Sequence, residues 1–307
     1  MTQSASPTDA GPPPTGLRHW PLWLLLGAAM LLARLWWPLQ QAAGRALGTV
    51  LRLAMGTRRR VAARYLALCF PELAADARER LLAAHFAALG IGVFEFARAW
   101  WGSVAPMQRS LRLEGLEHLD AARARGRGVI LVSGHFTTLE ICGRLLCERV
   151  PLAGMYRPHA QPALEWAVKR GRLRYAVAMF GREELRPAIR HLKAGGVLWF
   201  APDQDTRRGD SVYVPFFGRP ASSLTSTHQL ARLSGAAVLA FAHERADDGS
   251  YALRLSPAFD GFPGTDAVTD TARIMASIEA MARTAPAQYL WIHRRFKRQP
   301  DGGDPYA

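Results

Sequence analysis

A histidine in a glycine-preceded turn, followed five residues later by a carboxylate, is the sharpest chemical feature of this 307-residue chain: Ser133-Gly134-His135-Phe136-Thr137-Thr138-Leu139-Glu140. An imidazole titrates close to neutral pH, so His135 suits the removal of a proton from a hydroxyl. Two parts are open to Glu140. From the first turn of a helix it can reach back to His135, fix its tautomer and stabilise the imidazolium. It can equally close a T-x-x-E capping box with Thr137, in which the carboxylate only satisfies backbone donors. No G-x-S-x-G surrounds Ser133, which argues against a serine hydrolase. There is neither HExxH nor a second histidine at ligand spacing, so no metal is expected. Cys69, Cys142 and Cys147 show no CxxC spacing, and the last two fall on the helix after His135, where they read as core. No P-loop or GxGxxG follows a strand, so no nucleotide cofactor has a seat, and none is expected.

A second set of segments is ordinary when each is taken singly. Tyr156-Arg157-Pro158 and Gly171-Arg172-Leu173-Arg174 offer solvated arginines. Ala201-Pro202-Asp203-Gln204-Asp205 is a turn with two acids, and Val214-Pro215-Phe216-Phe217-Gly218 is an apolar loop.

His135 needs a rigid support, and GVILVS (128–133) supplies one: a short apolar, β-branched run ending in Ser-Gly, typical of a buried strand. A residue at the carboxyl end of such a strand stands where open α/β sheets bind ligands. A helix from about Thr138 to Arg149 follows. Further strands are predicted at 152–156, 196–201, 236–242 and 251–256, and helices at 161–171, 183–194, 223–234 and 266–284. A long amphipathic helix runs from Asp76 to about Trp101. The alternation predicts an α/β fold with a central, largely parallel sheet flanked by helices, in a single domain over 41–298.

Residues 1–16, rich in Pro, Ser, Thr and Gly, read as a disordered tail, and 299–307 as a second tail. Between them, 17–40 reads as a membrane-anchoring helix. His19 to Leu39 is nearly all apolar with Arg34 its one certain charge, and roughly 20 apolar residues span a hydrocarbon core. Trp20, Trp23, Trp36 and Trp37 lie near its ends, as interfacial tryptophans do. No small-x-small site follows that would mark a cleaved signal peptide. Arg45, Arg52, Arg58, Arg59, Arg60 and Arg64 lie downstream against Arg18 upstream, which places the body in the cytoplasm. The basic stretch 57–70 suits anionic headgroups.

The net charge of +14 and a pI near 10.7 point to an anionic partner. All but Lys169, Lys193 and Lys297 of the 39 basic residues are arginines, which a GC-rich genome also produces, although the guanidinium does suit phosphate and carboxylate. No helix-turn-helix and no basic run interleaved with aromatics supports a nucleic-acid partner. The 49% hydrophobic fraction excludes a disordered chain, and three cysteines suit a reducing, cytoplasm-facing compartment.

Taken in order, GHFTTLE, YRP, GRLR, APDQD, VPFFG, ARLSGA and APAQYLWIHRRFK closely resemble the bacterial lipid A late (secondary) acyltransferases. These are Kdo-lipid IVA lauroyl- or myristoyltransferases within the lysophospholipid acyltransferase-like superfamily. The resemblance runs from the apolar N-terminal segment to about Arg298, includes RRRVAARYLALCFPEL at 58–73, and is densest over 128–220 and 285–298. The superfamily's HxxxxD motif ends here in Glu140, which suits the lipid A branch. The resemblance implies a glycerolipid-acyltransferase-like fold at the bacterial inner membrane. It implies transfer of a fatty acyl chain, lauroyl as the expected one, from acyl carrier protein to a hydroxyacyl chain of Kdo-lipid IVA, without metal or cofactor. His135 and Glu140 match the family's catalytic pair, with His135 as general base. Arg172 and Asp203 match active-site positions: Arg172 would anchor a substrate phosphate or carboxylate through its planar fork, and Asp203 would orient an arginine or a sugar hydroxyl. The oxyanion of such a transfer needs a donor, for which backbone amides from Gly134 to Thr138 are candidates. The alternative is a glycerolipid (lysophospholipid) acyltransferase, with the same chemistry on a small phosphorylated acceptor.

Overall fold

The computed structural model describes residues 6–205 and 210–306. Its N-terminal part is helical: α1 (Trp20–Leu32), α2 (Trp37–Ala54), α3 (Gly56–Cys69), α4 (Ala75–Trp101) and the short α5 (Ala105–Arg109). Strands and helices then alternate through β1 (Arg112–Glu114), α6 (Leu116–Ala124), β2 (Val129–Val132), α7 (Leu139–Cys147), β3 (Leu152–Tyr156), α8 (Pro162–Arg172), β4 (Ala178–Gly181), α9 (Leu185–Lys193) and β5 (Val197–Phe200). A hairpin of β6 (Ser211–Phe216) and β7 (Arg219–Leu224) precedes α10 (Ser226–Ser234), β8 (Ala237–Arg245), β9 (Tyr251–Ala258) and α11 (Ala267–Thr284).

Seven strands form one sheet in the order β1-β9-β8-β2-β5-β3-β4, parallel at every junction except β8–β9. All four residues of β2 are buried because both faces are covered, as the all-apolar VILV demands. Ile130 and Val132 pack into the core shared with α11 and the hairpin, while Val129 and Leu131 pack into the core under α6, α7 and α8. The predicted central, largely parallel sheet is therefore present. The hairpin and β4 carried no readable strand signal. Ala178-Met179-Phe180-Gly181 is short and weak in β propensity, and it is a strand because β3 lies beside it.

The N-terminal region departs from expectation. Instead of one helix over 17–40, a 3-10 turn (Leu17–His19) leads into the 13-residue α1, and the chain breaks at 33–36 before α2. At 1.5 Å per residue α1 is about 20 Å long, short of the roughly 30 Å of a hydrocarbon core. The break is a clamped elbow. Gln40 Nε2 donates to the carbonyls of Leu32 (2.6 Å) and Leu35 (3.0 Å), and the buried Arg98 donates to Gln40 Oε1 (3.1 Å) and to the carbonyls of Leu35 and Ser103. The carbonyls that a helix end leaves unpaired are thereby satisfied. Beyond the elbow, α2 lies against α4 with backbones nearly touching. A Cβ on Gly90 would come within 2.1 Å of the Gly44 carbonyl oxygen and 2.4 Å of the Gly48 nitrogen. By length and composition α4 is the described helix able to cross a bilayer, but half of its apolar window is buried inside the protein, so it serves as a core helix. α1 itself is apolar on all sides and buries none of its residues, leaving Leu24, Leu25 and Leu31 about two-thirds exposed.

The described part of the expected N-terminal tail, residues 6–16, rests on the body. Met179 N–H donates to the Pro7 carbonyl (2.8 Å) at the open edge of the sheet, and the indoles of Trp166 and Trp23 donate to the carbonyls of Gly11 (2.8 Å) and Pro14 (3.1 Å). At the other end Arg64 donates to the Pro305 carbonyl (2.7 Å).

Candidate active site

His135 and Asp203 meet because their strands do. In the parallel β2–β5 pair Val132 lies beside Phe200, and His135 and Asp203 each follow three residues later, at the carboxyl edge of the sheet. β2 has β5 on one side and β8 on the other, so the chain runs outward in both directions from this point, which is where open α/β sheets form their crevice. His135 Nδ1 lies 2.5 Å from Asp203 Oδ1, and the His135 backbone N–H donates to Asp203 Oδ2 (2.9 Å). Tyr289 donates its hydroxyl to the same Oδ2 (2.9 Å). Burial works against the Asp203 charge, but the attraction and hydrogen bonds of His135, with that of Tyr289, hold its carboxyl down at about 2. The carboxylate is thus ionised at neutral pH and accepts from Nδ1, which leaves Nε2 of the neutral ring as a proton acceptor.

The turn that carries His135 is braced by the closing segment of the chain. Thr137 N–H donates to the Gln288 carbonyl (2.8 Å), and Leu290 N–H to the His135 carbonyl (2.9 Å). Gly134 lets this turn lie against α11, since a Cβ there would come within 2.8 Å of Ile278 Cγ2.

Glu140 makes neither of the contacts expected of it. It sits buried in the first turn of α7, and no hydrogen bond joins it to His135. Its Oε1 accepts from Trp100 Nε1 (2.6 Å) and Tyr175 Oη (2.7 Å), and Arg172 takes both carboxylate oxygens, with Nε at 3.0 Å from Oε1 and Nη2 at 2.8 Å from Oε2. The capping box is not formed either: Thr138 is the N-cap, and the Thr137 hydroxyl has no partner among the described residues. The reason is one of facing. α7 turns Glu140 toward α4 and α8, while His135, ahead of the helix, faces β5. Burial pushes the Glu140 carboxyl up, but the Arg172 charge and the three donors outweigh it and leave it below its ordinary value.

The contacts of Arg172 and Asp203 follow the same division. Arg172, at the end of α8 with its guanidinium 5.8 Å from the Tyr156 ring centre, is committed to Glu140 rather than free to anchor a substrate anion. The described partners of the Asp203 carboxylate are His135 and Tyr289, not an arginine. Sequence reasoning passed over Trp100, Tyr175 and Tyr289, which hold the two carboxylates. Only Tyr289 stood in a segment already singled out.

His135, Glu140, Arg172 and Tyr175 border a cleft of about 1340 Å³. Its wall includes the polar side chains of His135, His293, Lys297 and Gln229 and the apolar ones of Val93, Phe96, Met155 and Trp199. Burial pushes the Cys147 thiol, also on this wall, up to about 12, and that of the buried Cys142 upward as well, which disfavours the thiolate form of both.

The family model described as bacterial lipid A biosynthesis acyltransferase matches residues 15–298. The chain belongs to this family. The lipid A biosynthesis palmitoleoyltransferase of Escherichia coli (strain K12) is 39% identical over 287 residues, 93% of this chain and 94% of the relative. The lauroyltransferase of the same organism is 37% identical with the same coverage. Its myristoyltransferase is 25% identical over 297 residues, 94% of this chain and 91% of the relative. Among solved structures, the 1-acyl-sn-glycerophosphate acyltransferase of Thermotoga maritima covers 82% of this chain and 96% of its own, at a TM-score of 0.39 and 17% identity. The protein is an acyltransferase of lipid A biosynthesis, and the lipid A branch is the one that the sequence motifs indicated.

Proposed function

We propose that this lipid A acyltransferase moves a fatty acyl chain from its thioester on acyl carrier protein to the hydroxyl of a hydroxyacyl chain on Kdo-lipid IVA, with His135 as general base. The observation that carries the reading is the ionised Asp203 against His135 Nδ1, which leaves Nε2 basic beside a cleft with apolar walls. His135 Nε2 takes the acceptor's proton as the oxygen attacks the thioester carbonyl, and Asp203 stabilises the imidazolium. The thiol released has a pKa near 8.5 and departs without strong acid assistance. The +14 charge suits both an acidic carrier protein and the phosphates and carboxylates of the acceptor.

The test is transfer by the purified protein in detergent micelles, with lauroyl- and palmitoleoyl-acyl carrier protein offered against Kdo-lipid IVA and lysophosphatidic acid. Mass spectrometry is expected to find one added acyl chain on Kdo-lipid IVA, lauroyl by the sequence expectation, and none on lysophosphatidic acid. Transfer to lysophosphatidic acid alone would overturn the reading.

The exposed apolar surface of α1 favours seating in the inner leaflet of the membrane, with the body on the cytoplasmic face. Deleting residues 1–31 cuts ahead of the elbow and spares the Arg98–Gln40 clamp. The truncated protein is expected to leave the membrane fraction yet keep turnover on micellar acceptor within about threefold, an energy difference below 1 kcal/mol. Retention in membranes after carbonate washing would refute α1 as the anchor.

A further inference from the structure

We propose that His293 donates the hydrogen bond that stabilises the oxyanion formed at the thioester carbonyl, an inference that rests on the acyl-transfer reading above. His293 shares the cleft wall with His135 and is tied to the His135–Asp203 pair on two sides. Three residues before it, Leu290 N–H donates to the His135 carbonyl (2.9 Å). Its own Nε2 accepts from the backbone N–H of Asp205 (3.2 Å), two residues after Asp203.

That second bond selects the tautomer. A ring nitrogen that accepts an N–H carries no proton, so in the neutral ring the proton sits on Nδ1. No described residue accepts from Nδ1. Burial, opposed by the Asp203 charge and aided by Lys297, holds the His293 pKa at about 4, so the ring is neutral where His135 works as a base. His293 therefore offers a fixed, uncharged N–H without competing for the substrate proton, and such a preformed donor needs no reorganisation as charge develops. The amides expected to do this work are partly spent: His135 N–H goes to Asp203 and Thr137 N–H to Gln288.

In the step itself, the acceptor oxygen bonds to the thioester carbon and its proton passes to His135 Nε2. The carbonyl π pair moves onto its oxygen, which accepts the hydrogen bond from His293 Nδ1–H while that proton stays on the ring. When the carbonyl re-forms, the C–S bond breaks and the departing thiolate takes the proton from His135.

Two substitutions separate donation from clamping. His293→Gln and His293→Glu both present an oxygen to Asp205 N–H, but only glutamine also carries an N–H. His293→Gln is expected to keep about a tenth of kcat or more, whereas His293→Glu loses about 10²–10³-fold, with KM for the acyl thioester unchanged in both. The acid limb of the glutamine variant's pH profile should stay where the wild type has it, because His293 is not the titrating base. If the glutamate variant fails to fold, His293→Met, whose thioether sulfur can accept from Asp205 N–H but has no proton to give, carries the same expectation. Equal turnover in the glutamine and donor-less variants, or a loss confined to KM, would overturn the assignment. Wild-type protein inactive on Kdo-lipid IVA would instead remove the reading beneath it.

Discussion

Asp203→Asn is expected to lower kcat by about 10⁴ with little change in melting temperature, the size of effect seen when the acid of a histidine–acid pair becomes an amide. Asparagine can still accept from Tyr289 Oη and the His135 backbone through one oxygen. Its NH2 group then faces Nδ1, favours the tautomer protonated on Nε2, and removes the lone pair that must take the acceptor's proton. His135→Ala should fall to the same floor, and the double variant no lower, because groups that act as a unit lose their effect together. Single-turnover rates with a pre-bound acyl thioester measure this directly. An Asp203→Asn enzyme within tenfold of wild type, or losses that multiply in the double variant, would separate Asp203 from the base.

Glu140→Gln should show a different pattern, in which stability falls first. It leaves the Arg172 guanidinium partly buried with no opposing charge, and removing one partner of such a pair costs about 3 kcal/mol. For a chain of this size that corresponds to a fall of about 5 °C in melting temperature. Removing the second charge as well, in Glu140→Gln/Arg172→Gln, should recover part of the loss. The pH dependence follows from the lowered carboxyl. The stabilisation is complete above the unfolded-state value near 4.3 and is lost as pH falls through the lower folded-state value, so the glutamine variant should lack that acid-sensitive component. A thermally unchanged Glu140→Gln protein with a large rate loss would return Glu140 to the chemistry.

The strand beneath His135 was legible because four consecutive buried apolar residues have a local signature. The partnership of His135 was not. HxxxxE reads as a local pair, yet the carboxylate on the imidazole lies 68 positions away and arrives through the register of β2 on β5. The groups that draw Glu140 aside, Trp100 at 40 positions and Arg172 at 32, come from two other helices. Of the four residues to which the resemblance pointed, His135, Glu140 and Arg172 line one cleft and Asp203 lies buried against His135, but which carboxylate faces which cation is decided by packing between elements. The break in the N-terminal apolar run was hidden for a related reason: its composition suits one continuous helix, while the elbow depends on Arg98, some 60 positions downstream.

That elbow bears on the working height of the enzyme. α4 carries Arg98 for the clamp, Gly90 for the contact with α2, and Val93 and Phe96 for the cleft wall, all on one continuous helix. With α1 lodged among lipid tails, the level of His135 above the leaflet would then be set by rigid geometry, not by a flexible tether. The acceptor's hydroxyl would have to rise a defined distance out of its lipid neighbours to reach Nε2. The ease of that partial extraction, and so the reaction rate, would track how tightly the surrounding lipids pack.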